Sequence, residues 1–134
     1  MRTRVVIQRC TDYAFEQVVR SMRTCLEPLG GMSAFVQPGQ RVLLKPNLLI
    51  GVAPEKATTT HPAVVEAAII LVREAGGEPF VGDSPGVGTM AAALRAAGVQ
   101  EVLERHDVAV ADFTHEVVFE CGDNVIARKI SLAQ

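Results

Sequence analysis

The feature that most constrains this 134-residue chain is a strand, helix, strand signature in its middle third. Val42-Leu43-Leu44 follows the turn signal Pro38-Gly39 and is apolar throughout, as suits a central parallel strand covered on both faces. It stops at Lys45-Pro46-Asn47, because proline cannot donate to a sheet ladder. From His61 to Ala75 apolar residues occupy nearly every side of a helical wheel, so a helix there must be well buried, and Gly76-Gly77 ends it. Pro79-Phe80-Val81-Gly82 then reads as a second strand that closes at Asp83. Two such strands joined by one helix make a parallel pair with a right-handed crossover.

The flanking segments extend this pattern. Arg4 to Arg9 has the β-branched content of a strand, Thr11-Asp12 offers side-chain oxygens for a helix start, and Phe15 to Leu29 has helical apolar spacing ended by Gly30-Gly31. Beyond Asp83, Thr89 suits the N-cap of a helix over Met90 to Ala97 that Gly98 closes. A short helix near Gln100 to His106 and a strand over Val108 to Ala111 follow. Val117 to Phe119 and Val125 to Ile130 flank Gly122-Asp123-Asn124, which reads as a hairpin. The expected architecture is one α/β domain over residues 1–134. It would be three-layered, with a mainly parallel sheet of about four strands flanked by helices and a C-terminal β-hairpin.

Composition narrows the partners. A hydrophobic fraction of 49% against 21% charged residues is the profile of a chain that buries a core. The formal net charge of −2 and the lack of Lys/Arg clusters argue against nucleic acid, whose affinity comes from clustered positive charge. No apolar stretch reaches the roughly 20 residues of a membrane-spanning helix. Val5-Val6-Ile7 is too brief for the apolar core of a signal peptide, so the expected location is cytoplasmic. Cys10, Cys25 and Cys121 are odd in number and widely spaced. They match neither a zinc site nor an iron–sulfur motif, no iron–sulfur cluster is expected on this chain, and the thiols read as small buried or half-buried hydrophobes.

Chemistry is concentrated in the two loops that follow the central strands, where open α/β sheets place their ligands. The first carries Lys45, Asn47 and the run Thr58-Thr59-Thr60-His61-Pro62. A threonine before a helix that begins with proline is helix-start chemistry, and free N–H groups there would attract a phosphate or carboxylate, reinforced by Lys45. The competing reading has one threonine as a cap, the others as loop residues, and Asn47 bracing the turn. The second loop is Gly82-Asp83-Ser84-Pro85-Gly86-Val87-Gly88-Thr89. Gly86 permits close approach to a ligand, Ser84 offers a hydroxyl, and Asp83 could hold a metal ion, orient a hydroxyl or act as a base; equally, Asp-Ser-Pro-Gly is turn chemistry. His61 could carry a proton near neutral pH or serve as a cap, while His106 and His115 read as surface residues.

Three motifs in order, Leu43-Leu44-Lys45-Pro46-Asn47, Ala57-Thr58-Thr59-Thr60-His61-Pro62 and Val81-Gly82-Asp83-Ser84-Pro85-Gly86, resemble the N-terminal half of the uncharacterised DUF362 family, over about residues 4 to 113. The resemblance implies Lys45, Asn47, Thr59, His61 and Asp83 as the residues to watch. It also implies longer relatives with a later lysine-and-histidine motif and often a ferredoxin-like iron–sulfur module. Two functions follow as expectations. One is half of an enzyme site for a small anionic molecule, bound by Lys45, Asn47, Thr58, Thr59, Thr60, Ser84 and Gly86, with His61 and Asp83 as catalytic candidates and Asp83 as a metal candidate. The other is a non-catalytic module that docks to an iron–sulfur redox partner or self-associates as a homo-oligomer.

Overall fold

The structure is a computed structural model and describes residues 4–111, 113, 116–120 and 129–133. Among the described residues it is a mixed α/β fold with four α-helices and a small parallel sheet. Strand β1 (Arg41–Leu44) pairs parallel with β2 (Glu78–Val81), with Val42 opposite Pro79 and Leu44 opposite Val81. Helix α2 (Pro62–Glu74) forms the crossover. The central signature therefore folds as its apolar pattern dictates: α2 buries Ala63, Val65, Ala67, Ile69, Leu71 and Val72, and it packs on both strands.

After β2 the chain forms α3 (Met90–Ala96), whose N-cap Thr89 accepts the Ala92 N–H at 3.2 Å, and α4 (Val99–Arg105). Leu48, Val65, Ile69, Val81, Leu94, Val99 and Leu103 form the main core between α2, α3, α4 and the sheet. The strand expected over Val108 to Ala111 is reduced to one parallel bridge, Val81 to Val110. Helix α1 (Phe15–Leu26) lies against α2 through Val18, Val19 and Met22. Its start is set by Asp12, but as a turn rather than a cap: Oδ1 accepts the N–H of Ala14, two residues on, and Thr11 Oγ1 accepts from Gln17 Nε2. Strands β3 (Glu116–Glu120) and β4 (Lys129–Ala133) pair antiparallel; the turn at Gly122-Asp123-Asn124 and residues 125–128 lie outside the described residues.

Several expectations are corrected. Arg4 to Arg9 forms no strand and joins no sheet among the described residues, leaving Val5 77% and Ile7 90% exposed. Among the described residues β1 is an edge strand and not a central one. Val42 and Leu44 face the core, whereas Arg41, Leu43, Glu78 and Phe80 share the opposite face, where Leu43 is 43% exposed and the Arg41 guanidinium sits 4.6 Å over the Phe80 ring. Covered strands would need a helix layer on that face too. His106 is only partly exposed: its Nε2 lies 2.8 Å from Glu66 Oε1, an oxygen shared with Arg105 at 2.6 Å, which ties the end of α4 to α2. Burial raises the Glu66 carboxyl, but the hydrogen bonds from His106 and Arg105 outweigh it and hold it below the ordinary carboxylate range. Cys25 is half-buried, Cys10 is exposed, and Cys121 and His115 lie outside the described residues.

Candidate functional site

The two loops meet at the C-terminal ends of β1 and β2, where three contacts zip them together. Gly82 N–H donates to the Leu44 carbonyl at 3.1 Å, Leu48 N–H to Asp83 Oδ2 at 2.9 Å, and Gly86 N–H to the Leu49 carbonyl at 2.8 Å. Leu48 is fully buried and pins the first loop into the core. Gly51 completes that turn with φ +61°, and a Cβ there would lie 2.4 Å from Ala93 Cα, so only glycine lets the loop close onto α3. Leu49, between them, holds φ 47° without being glycine, a conformation that costs about 1–2 kcal/mol.

Asp83 is the hub. Its side chain is 4% exposed, and Oδ1 meets Lys45 Nζ at 2.6 Å while Lys45 remains 63% exposed. Burial alone would raise the Asp83 carboxyl. The Lys45 hydrogen bond, the Leu48 and Ser84 amides and the Lys45 charge outweigh that effect and hold it below the usual carboxylate range. It is therefore ionised at neutral pH. A metal ion placed on Asp83 would face the Lys45 ammonium, and among the described residues no group of three or more His, Cys, Asp or Glu could hold one.

The threonine run divides by role. Thr60 accepts the Asn47 N–H at 2.9 Å through Oγ1, and its own N–H donates to the Asn47 carbonyl at 2.9 Å. It clamps the loop rather than capping α2. Thr59 is buried, with its hydroxyl 3.5 Å from the Val52 carbonyl. Thr58 and the Asn47 side chain are exposed, and the Thr58 hydroxyl donates to the Lys56 carbonyl.

His61 is the N-cap of α2. Its Nδ1 accepts the Ala63 N–H at 3.2 Å, and its ring stacks on Tyr13 with centroids 3.8 Å apart. Pro62 carries no N–H, and the Val64 N–H donates to the His61 carbonyl at 2.9 Å. The α2 N-terminus thus has its first amides engaged within the chain, which corrects the expectation of exposed donors there. Burial pushes the His61 pKa down, against a smaller opposing effect of Glu55, so the ring is neutral at pH 7, as an accepting Nδ1 requires. His61 and Asp83 are not in contact; each is engaged by a different partner.

Beyond Asp83, on the α3 and α4 side, lies an open cleft of about 860 Å³. Met90, Leu94, Leu103 and Val108 give it apolar walls, and Ser84, Thr89, Gln100, Glu104 and Asp107 supply polar groups. No Lys, Arg or His is among the described residues that line it. Sequence reasoning missed Leu48, whose contribution is a backbone amide, and Tyr13, which a lone tyrosine just before a helix could have flagged.

Comparison with known proteins adds a family but no activity. The model of the family described as "Domain of unknown function (DUF362)" matches residues 42–134. The chain is 46% identical over 109 residues to the thylakoid-associated protein sll1697 of Synechocystis sp., covering 81% of this chain and 34% of that relative. It therefore spans about a third of the length of the curated relative it matches. No solved structure matches it significantly. The family match over well over half of the chain, with the motifs that build the Lys45–Asp83 site, shows that the chain belongs to the DUF362 family.

Proposed function

We propose that this chain carries one half of a binding site for a small phosphate- or carboxylate-bearing molecule at the C-terminal ends of β1 and β2. The observation that carries the reading is Lys45: a largely exposed ammonium whose direction is fixed by a buried, ionised carboxylate. An ammonium has three donors, and the one spent on Asp83 orients the others toward solvent. The Ser84 hydroxyl and the exposed Asn47 side chain are the neutral donors on the same two loops, while Gly86 spends its N–H on the Leu49 carbonyl, Thr58 spends its hydroxyl proton on the Lys56 carbonyl, and Thr59 and Thr60 support the loop from within. Because the α2 amides are engaged and the cleft is lined by carboxylates, the anion belongs over Lys45 and not in the cleft.

Whether chemistry follows binding depends on groups from the rest of the longer family fold. Any proton carried by His61 would pass through Nε2, since Nδ1 is occupied. Asp83 would polarise or position rather than abstract a proton, being already ionised and paired. Titration calorimetry against phosphates, nucleotides and carboxylates tests the reading. The expected result is binding that weakens at least tenfold in Lys45→Met, and binding indifferent to Lys45 would remove its basis.

A second reading, a non-catalytic module that docks to an iron–sulfur redox partner or to its own copy, is favoured by Leu43, exposed on the sheet face that no helix among the described residues covers. Light scattering separates the two, because a clean monomer at high concentration speaks against self-association. We place the protein in the cytoplasm. The thylakoid association of the relative makes a membrane-surface partner the variant to check by cell fractionation, given that no helix among the described residues is long and apolar enough to cross a membrane. The complete sheet of about four strands with helices on both faces, and the C-terminal hairpin, belong to this proposal as the form of the finished fold.

A further inference from the structure

Among the described residues two stretches carry unpaired backbone: the outer edge of β1, whose other edge pairs with β2, and residues 4–9, which join no sheet. In β1, the Gln40 and Leu44 carbonyls accept from Glu78 and Gly82 at 2.8 and 3.1 Å, so the alternation of a parallel ladder turns the N–H and C=O groups of Arg41 and Leu43 toward the free edge. The Leu43 side chain is exposed on the uncovered sheet face as well. This edge is short and bordered by the charged Arg41 and Lys45, as natural edge strands commonly are, and Leu43 between them is the position that leaves both an apolar side chain and unpaired backbone exposed.

The second segment is Arg4 to Arg9. Arg4 Nη1 donates to the Pro28 carbonyl just past the end of α1, Thr11 meets Gln17 in its first turn, and Tyr13 stacks on His61 at the start of α2. The segment therefore runs antiparallel to α1 and in the same sense as β1, as a strand preceding its crossover helix must. Yet Val5 and Ile7 project into solvent. A two-stranded sheet is marginal by itself; three or more strands are needed for an independent sheet.

We propose that the free edge of β1 and the unpaired segment at Val5 to Ile7 accept β-strand structure supplied by the part of the DUF362 fold outside the matched region. The chain aligns with 34% of its Synechocystis relative, so most of that relative's polypeptide lies outside the matched region, and the β1 edge and residues 4–9 are two places where this chain exposes apolar side chains beside unpaired backbone. Strand addition of this kind draws its affinity from main-chain hydrogen bonds and its specificity from alternate side chains, here Leu43, Val5 and Ile7.

The test coexpresses the 134-residue chain with a polypeptide carrying the remainder of that relative. A 1:1 complex should copurify, with amide exchange at Leu43 and at Val5 to Ile7 slowed at least tenfold relative to the chain alone. Leu43→Lys and Ile7→Lys, both at exposed positions, should each weaken association at least tenfold while leaving the thermal melt of the isolated chain unchanged. If the remainder is insoluble, exchange in the intact relative decides: the amide aligned with Leu43 must be protected there. Failure to copurify from soluble partners, a complex that leaves these amides exchanging freely, a homodimer of this chain that already protects them, or a fast-exchanging aligned amide in the intact relative would each overturn the proposal. No anion enters these measurements, so their failure leaves the ligand reading of Lys45 standing, and a failed calorimetric screen leaves the strand reading standing.

Discussion

Two polar contacts organise the strand-end loops, and they differ in what they place at risk. Asp83 is a charge inside the protein, held by Lys45, the Leu48 amide and the Ser84 amide. His61 is a half-buried neutral ring that caps α2 and stacks on Tyr13. Removing a buried ion strands the amides that point at it, even though exposed Lys45 can turn to water, whereas a cap that borders solvent can hand its amide to water. The Asp83 contact should therefore govern stability and the direction of Lys45, and the His61 contact should tune only the start of one helix.

Removing the hub gives the largest expected effect. Asp83→Ala strips the Leu48 and Ser84 amides and Lys45 of their common acceptor and should cost about 3 kcal/mol, from the usual values for hydrogen bonds to charged groups. Denaturant unfolding measures it, and a loss below about 1 kcal/mol would place Asp83 on a par with His61. Next comes Gly51→Ala. The added Cβ would sit 2.4 Å from Ala93 Cα on a backbone of φ +61°, so the loop must lift from α3 at a cost of about 2 kcal/mol. Its readout in the same comparison is Leu48 N–H exchange, which should rise if that lift slackens the grip on Asp83.

The smallest effect belongs to His61, and its sign is fixed by the depressed pKa. Because the folded state disfavours the protonated ring, the stabilisation is fully present above the unfolded value of about 6.5 and is lost as pH falls through the lower folded value. His61→Asn, which keeps a capping oxygen, should remove this pH dependence and change stability by no more than about 1 kcal/mol. Melting curves at several pH values around the histidine range check it. Stability that rises on acidification would show that the ring is charged in the fold.

The sequence was most legible where one segment satisfies its own demands. The strand at Val42-Leu43-Leu44, the helix from His61 onward and the stop at Asp83 follow from periodicity and from proline and glycine placement and lie there along the chain, but the apolar run is an edge strand with Leu43 exposed and not the covered central strand it suggested. Arg4 to Arg9 has equally good strand composition but no ladder, because pairing requires a neighbour that composition does not specify. The site shows the same division. Lys45 and Asp83 were visible as charged residues at strand ends, and they do meet. That Thr60 serves Asn47, that His61 rather than a threonine caps α2, and that a leucine amide holds Asp83 were not visible, since backbone groups look alike in every sequence.

The pairing of Lys45 with Asp83 at the strand ends is tested most directly by following the Asp83 carboxyl carbon by NMR as pH is lowered, in the native chain and in Lys45→Met. A midpoint below the ordinary aspartate range that moves upward in the variant is the expected result. A midpoint at or above the ordinary value, unmoved by loss of Lys45, would contradict the pairing on which the ligand reading stands.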